Sequence, residues 1–235
     1  MPSYVWGFWY LDPQGINWHS SLRDRPFPAD DIDADRALYF FNGVSGYMRR
    51  ENLSKFPQAE AASGPLDPAR AVIFLQDIER YKRQVHDLTS DQMIRITATA
   101  TRDLVYVKPH PLQSPQDRAR LARSVRRYDN VALTDRSIHD LTAASDMVIT
   151  QNSAAGFEAL MHRRPVITCA LTDYHHATCA VRTAAQLAEA VASAPHRQAD
   201  FPFEKYLYWF LALNMLEPQK PDFAARAWER IAALP

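Results

Sequence analysis

The chain has no excess charge of either sign: 27 Lys and Arg offset 27 Asp and Glu in 235 residues, for a formal net charge of +0. That balance argues against bulk binding to nucleic acid or to an anionic membrane, which a basic excess would serve. Cysteine is scarce, with only Cys169 and Cys179. Two cannot make a disulfide framework, and Cys169 ends the apolar run 166–168, so a reducing compartment is expected. No apolar stretch approaches the ~18–20 residues of a membrane span. The first twelve residues carry neither a basic n-region nor a long apolar h-region, so no secretory signal is read there. The six glycines form no GxGxxG and no Walker loop, and CxxC pairs and GxSxG are missing too. There is no internal repeat and no low-complexity tract. A cytoplasmic protein is expected, with peripheral attachment to an inner membrane left open.

What is present is an ordinary globular composition, 47% hydrophobic and 23% charged, enough for one large domain or one plus a partial second. Residues 1–64 are rich in aromatics and turn formers, with Asp12-Pro13-Gln14-Gly15 as a turn and an acidic stretch from Asp30 to Asp35. The best linker candidate is 59–68, with Gly64-Pro65 in it. Beyond it the rhythm becomes regular. Strands are expected at 71–75, 104–107, 131–133, 147–149 and 166–168. Helices are expected at 78–97 (one or two), 115–127, 137–144, 154–162 and 183–193. Two more helices, 206–216 and 223–234, are broken at Pro218 and Pro221. Alternating strands and helices predict an α/β fold with a doubly wound, mostly parallel sheet over 65–235, and a partial N-terminal α/β segment over 1–64.

Two segments then stand at the carboxyl ends of strands, where open parallel sheets bind ligands. The first is Val107-Lys108-Pro109-His110-Pro111. Flanking prolines bias His110 toward extended geometry and hold its imidazole at the sheet edge, to bind a phosphate or merely to pack between rings. The second runs Gln151-Asn152-Ser153-Ala154-Ala155-Gly156-Phe157-Glu158. Ser153 is a natural N-cap, and the helix it opens offers amides and a positive dipole end to a phosphate. Gln151 is expected to reach a base or sugar. Glu158 either accepts ribose hydroxyls or simply favours the helix dipole. Asp173-Tyr174-His175-His176 follows the next strand and offers a ligand contact or an inter-domain contact; adjacent histidines on a loop suit a metal poorly. The stripe Tyr206, Trp209, Phe210, Leu213 reads as packing, and Arg118 to Arg127 as a solvated helix face rather than a nucleic-acid patch.

These motifs resemble the capsule polysaccharide synthesis and export family, which includes GT-B-type bacterial β-Kdo transferases. The family pattern of a lysine–proline–histidine–proline segment stands here as Lys108 to Leu112. Its later segments stand as Ser137-Ile138-His139-Asp140-Leu141, as Ser145 to Thr150, as Gln151 to Leu160, and as Arg163-Arg164-Pro165-Val166-Ile167 with Tyr174. In front, Asp12-Pro13-Gln14-Gly15-Ile16-Asn17 with Ser20-Ser21-Leu22 is similar to another family segment. The resemblance implies that His110, Gln151 and Ser153 hold the CMP of an activated sugar, with Lys108, Asn152, Ala154, Glu158 and Tyr174 beside them. It implies transfer of a Kdo-like sugar to a glycan or glycolipid acceptor, with the CMP-sugar as donor and no further cofactor or metal. It also implies a shortened N-terminal domain. That leaves Asp12 as the catalytic carboxylate, with the Asp30–Asp35 cluster a poor second.

Two alternatives stay open at this point. The chain could be a non-catalytic binding module of a polysaccharide synthesis or export complex, or a transferase of CDP-glycerol or CDP-ribitol type. A homodimer supplying the missing half-site is a further option, with Trp6, Phe8, Trp9 and Trp18 as anchors.

Overall fold

A computed structural model describes residues 1–58, 64–81 and 83–232. The first five residues of the expected linker, and the end of the last expected helix, lie outside the described residues.

Helix α1 (Ala34–Arg50) starts where the Asp33 carboxylate accepts the Arg36 N–H at 2.8 Å. It buries Ala37, Phe41, Ser45 and Met48, one stripe at helical spacing. Then come β1 (Ala69–Phe74), α2 (Ser90–Ala100), β2 (Val105–Lys108), α3 (Pro115–Val125) and β3 (Val131–Leu133). After the crossover follow α4 (Ile138–Ala144), β4 (Ser145–Thr150), α5 (Ala154–Ala159), β5 (Val166–Thr168), β6 (Cys179–Ala180) and α6 (Ala184–Arg197). Helix α7 (Phe203–Leu207) continues into a π-helical turn, and α8 (Phe223–Ala232) is the last element among the described residues. No helix among the described residues is long and apolar enough to cross a membrane.

Among the described residues six strands pair in parallel, in the order β3-β2-β1-β4-β5-β6. Each strand is apolar on both faces, as a doubly covered sheet requires. On β1, Val72 and Phe74 face a core made with α1, α5, α7 and N-terminal aromatics. Ala71, Ile73 and Leu75 face a second core made with α2, α3 and α6. The first core joins Tyr4, Val5, Phe8 and Tyr10 to Phe157, Tyr174 and Phe210, so the N-terminal residues and the sheet share one packed interior.

The sheet and its helices agree with the expected α/β architecture, and the differences are local. The expected helix over 78–97 is instead a short turn at Ile78–Arg80, an irregular stretch, and α2. Thr89 and Gln92 form a reciprocal capping box, which fixes the start of α2. The residues before it are drawn to the sheet edge, where Asp87 N–H donates to the Cys169 carbonyl at 2.8 Å. The pair β6 was missed because two residues give no periodic signal. Helix α6 runs past its expected end, through Pro195 to Arg197.

Candidate functional site

Strand order reverses between β1 and β4, and the loops leaving β1, β2 and β4 diverge there. Such a switch point leaves a crevice at the carboxyl edge of a sheet. Here it is a cleft of about 450 Å³. Its floor comes from the ends of β1 (Phe74 to Asp77), β2 (Lys108 to His110) and β4 (Asn152 to Ala155). Its rim comes from Trp18, Tyr81 and the stretch Ser54–Phe56.

The residues singled out from sequence separate into three groups. Lys108, His110, Asn152, Ser153 and Ala154 line the cleft. His110 Nδ1 accepts the Leu112 N–H at 3.3 Å, so a neutral ring keeps its proton on Nε2 as a donor. Desolvation lowers its pKa, partly opposed by the charge of Asp77, and the ring is therefore neutral at pH 7. Phe56 packs edge-on against it at 5.4 Å. Lys108 is less available than its position suggests. Its ammonium donates to the carbonyls of Asp135 at 3.0 Å and Arg136 at 2.6 Å, and desolvation lowers its pKa.

Asn152 is fixed on both sides. Its N–H donates to Gln76 Oε1 at 2.7 Å, and its Nδ2 to the Leu171 carbonyl at 2.8 Å. Ser153 caps α5, its Oγ accepting the Ala155 N–H at 3.1 Å, which leaves the hydroxyl proton free to donate into the cleft.

Gln151, Glu158 and Tyr174 form the second group, behind the cleft wall. Gln151 is fully buried, and its Nε2 donates to Glu79 at 3.1 Å and to the Leu88 carbonyl at 3.0 Å. Glu158 is buried too, accepting Ser54 Oγ at 2.9 Å and the Lys55 N–H at 3.3 Å. Burial pushes its pKa up to about 8 against those hydrogen bonds, so it is mostly neutral at pH 7. Tyr174 donates its hydroxyl to the Ser153 carbonyl at 2.8 Å. It props the loop from beneath. Gly156 permits this, since a Cβ there would sit 2.7 Å from Thr150 Cγ2 and 2.9 Å from Tyr174 Oη.

Asp12 stands apart. It lines a different hollow, with Arg25 and Arg230. Its carboxylate accepts from the N–H groups of Gln14, Gly15 and Ser21 and from the hydroxyls of Ser20 and Ser21. Burial opposes those bonds but they prevail, and its pKa is lowered. Such a carboxylate staples its own loop. In the acidic cluster, Asp33 caps α1 and none of these aspartates lines the cleft. Among the described lining residues the carboxylate is Asp77, paired with Arg80 at 2.8 Å.

The expected contact at Asp173 is internal. Its carboxylate accepts the hydroxyls of Tyr4 and Tyr10, both at 2.8 Å, which fastens the N-terminal residues to the sheet edge. Burial pushes its pKa up to about 7 against those hydroxyls. Trp18, expected as a dimer anchor, lines the cleft, and Ser54, Lys55, Phe56 and Asp77 were not found from sequence. They sit in segments without a motif, and only the closure of the fold brings them to the cleft.

The model of the capsule polysaccharide biosynthesis protein family matches residues 82–202. No curated protein matches the chain. Among solved structures, the Thermosulfurimonas dismutans KpsC beta Kdo 2,7 transferase is similar, with a TM-score of 0.58 at 16% identity, covering 94% of this chain and 71% of that one. The beta Kdo 2,4 transferase of the same organism's KpsC gives 0.44 at 19%, covering 79% and 64%. WaaG, a glycosyltransferase involved in lipopolysaccharide biosynthesis, gives 0.41 at 17%, covering 90% and 54%. The chain thus spans less than two thirds of the last two. The first likeness is one of fold, of GT-B-like type.

Proposed function

From the premise that the chain belongs to the capsule polysaccharide biosynthesis protein family, we propose that it binds a nucleotide-activated sugar and acts as a glycosyltransferase of surface polysaccharide synthesis. The donor is a CMP-sugar of Kdo-like type, and the acceptor a glycan or glycolipid. The observation that carries this reading is the cleft at the β1/β4 switch point, with His110 and Ser153 both presenting donors to it. A pocket of about 450 Å³ is within the range of small-molecule sites. Transfer from such a donor needs positioning and stabilisation of the departing phosphate more than covalent help from the protein. His110 Nε2–H and the Ser153 hydroxyl would supply hydrogen bonds to that phosphate. Asp77 takes the role of base toward the acceptor hydroxyl, in place of Asp12.

A second reading has its own support. The carboxylate expected from sequence to be catalytic, Asp12, is saturated outside the cleft. That favours a binding module of a synthesis or export complex which holds the nucleotide without transferring the sugar. Calorimetric titration with CMP, CDP, UMP and ADP tests the common element. Selective CMP binding, weakened about tenfold in His110→Ala for the loss of one charge-assisted hydrogen bond, is the expected result. Equal affinity in wild type and variant would remove His110 from the site. Sugar release from CMP-Kdo with an acceptor present then separates enzyme from binding module.

A further inference from the structure

Residues 52–58 leave the end of α1 and run into the cleft wall. They are fastened along their whole length. Ser137 Oγ donates to Asn52 Oδ1, and His139 Nε2–H to the Leu53 carbonyl at 2.7 Å. Glu158 holds the Ser54 hydroxyl and the Lys55 N–H. The Phe56 ring rests on His110, and Gln58 Oε1 accepts the Ile138 N–H at 3.0 Å. So tied, Ser54, Lys55, Phe56 and Gln58 all line the cleft.

One group in this strap is left over. The backbone of Lys55 is anchored, yet its ammonium has no hydrogen bond or ion pair among the described residues. The other lining cations are committed elsewhere, Lys108 to two carbonyls and His110 to the neutral state. Asp77 already has Arg80. Among the described residues Lys55 is thus the cleft-lining cation whose ammonium makes no hydrogen bond or salt bridge; it is exposed to whatever enters, and its charge acts on the Glu158 carboxyl beneath it. A buried carboxyl is costly unless it is hydrogen-bonded. The hydrogen-bond partners of Glu158 among the described residues are Ser54 and Lys55, so its burial serves to place this strap.

We propose that Lys55 binds the phosphate of the nucleotide donor, as a point charge beside His110, and that Glu158 is the positioning residue that holds it there. The proposal rests on the nucleotide reading above and names the charged contact within it.

The test is calorimetric titration of CMP, cytidine and inorganic pyrophosphate into wild type, Lys55→Ala, Lys55→Arg, Glu158→Gln and Glu158→Ala. Lys55→Ala should weaken CMP about tenfold, as loss of a charge-assisted contact does, and leave cytidine unchanged. Lys55→Arg should recover most of the loss. The CMP affinity of wild type should fall more steeply with salt than that of Lys55→Ala. Glu158→Gln keeps an acceptor oxygen and should bind as wild type, whereas Glu158→Ala should fall to the level of Lys55→Ala. Wild-type CMP affinity in Lys55→Ala, with His110→Ala weakened, overturns the proposal and leaves the nucleotide site standing. If wild type binds neither CMP nor cytidine, the nucleotide reading fails. Pyrophosphate then decides: binding lost in Lys55→Ala keeps an anion subsite, and no binding overturns that too.

Discussion

Gly156 is the position where one methyl group should have the largest consequence. A Cβ built there meets Thr150 Cγ2 at 2.7 Å and Tyr174 Oη at 2.9 Å, both closer than side-chain carbons normally approach. Neither neighbour can yield cheaply. Thr150 is held by its hydroxyl, which donates to the Phe74 carbonyl at 2.9 Å. Tyr174 is fully buried, edge-on to Tyr4 and Phe157, with its hydroxyl on the Ser153 carbonyl. In Gly156→Ala, α5 must lift away from β4, and the Tyr174 hydroxyl loses its acceptor. Overpacking costs about 1–3 kcal/mol and an orphaned buried hydroxyl another ~1–3 kcal/mol. Alanine returns about 1 kcal/mol of helix propensity. The net is a loss of about 1–5 kcal/mol, or roughly 2–20 °C in melting temperature for a chain of this size. Differential scanning fluorimetry measures it. Tyr174→Phe removes one of the two clashing atoms, so the double variant should melt higher than the sum of the single losses predicts. Because Ser153 moves with α5, CMP affinity should fall as well. A Gly156→Ala protein that melts with wild type would refute the reasoning.

Two further outcomes follow from buried and half-buried carboxyls. Glu158 has its pKa raised from 4.5 to about 8, so the folded state favours the proton and loses stability as pH rises through that window. Glu158→Gln should therefore flatten the decline of melting temperature between about pH 4.5 and 8. Part of the slope should remain, because Asp173, at about 7, shifts in the same direction. An unchanged slope in Glu158→Gln would show that the carboxyl titrates in contact with water. The two aspartates should separate cleanly in a paired assay of CMP-Kdo transfer and thermal melting. Asp12→Ala should lower the melting temperature and leave transfer intact, since it loses the bonds that staple residues 12–21. Asp77→Asn should abolish transfer with CMP affinity retained; transfer lost in Asp12→Ala at unchanged stability would reverse the assignment.

The sheet was legible because its strands are short, continuously apolar and spaced by capped helices. Val131–Leu133 and Val166–Thr168 fall where their composition places them. The Ser153 cap was equally plain, being a small hydroxyl ahead of a helix. What the linear pattern could not rank was depth. Glu158 sits in a helix whose buried side also carries Phe157 and Ala159, and from sequence a carboxylate there is as plausible in a cleft as beneath one. Gln151 and Tyr174 pose the same ambiguity. The missed residues have a different cause. Ser54 is 104 positions from Glu158, and Tyr4 is 169 from Asp173. No periodicity reports such distances.

Depth and distance together account for how the cleft is held. The motif residues facing it are fixed by residues behind them: Ser153 by Tyr174, Asn152 by Gln76, and the strap of Lys55 by Glu158. The N-terminal residues are fixed the same way, with Tyr4 and Tyr10 on Asp173 one position before Tyr174. Tyr4 also stacks on Phe157 at 5.3 Å, directly before Glu158. The loop 172–174 and helix α5 are therefore the joint through which residues 1–58 and the sheet share one site. A change at either end of these bonds reaches the cleft through a side chain that never touches the ligand.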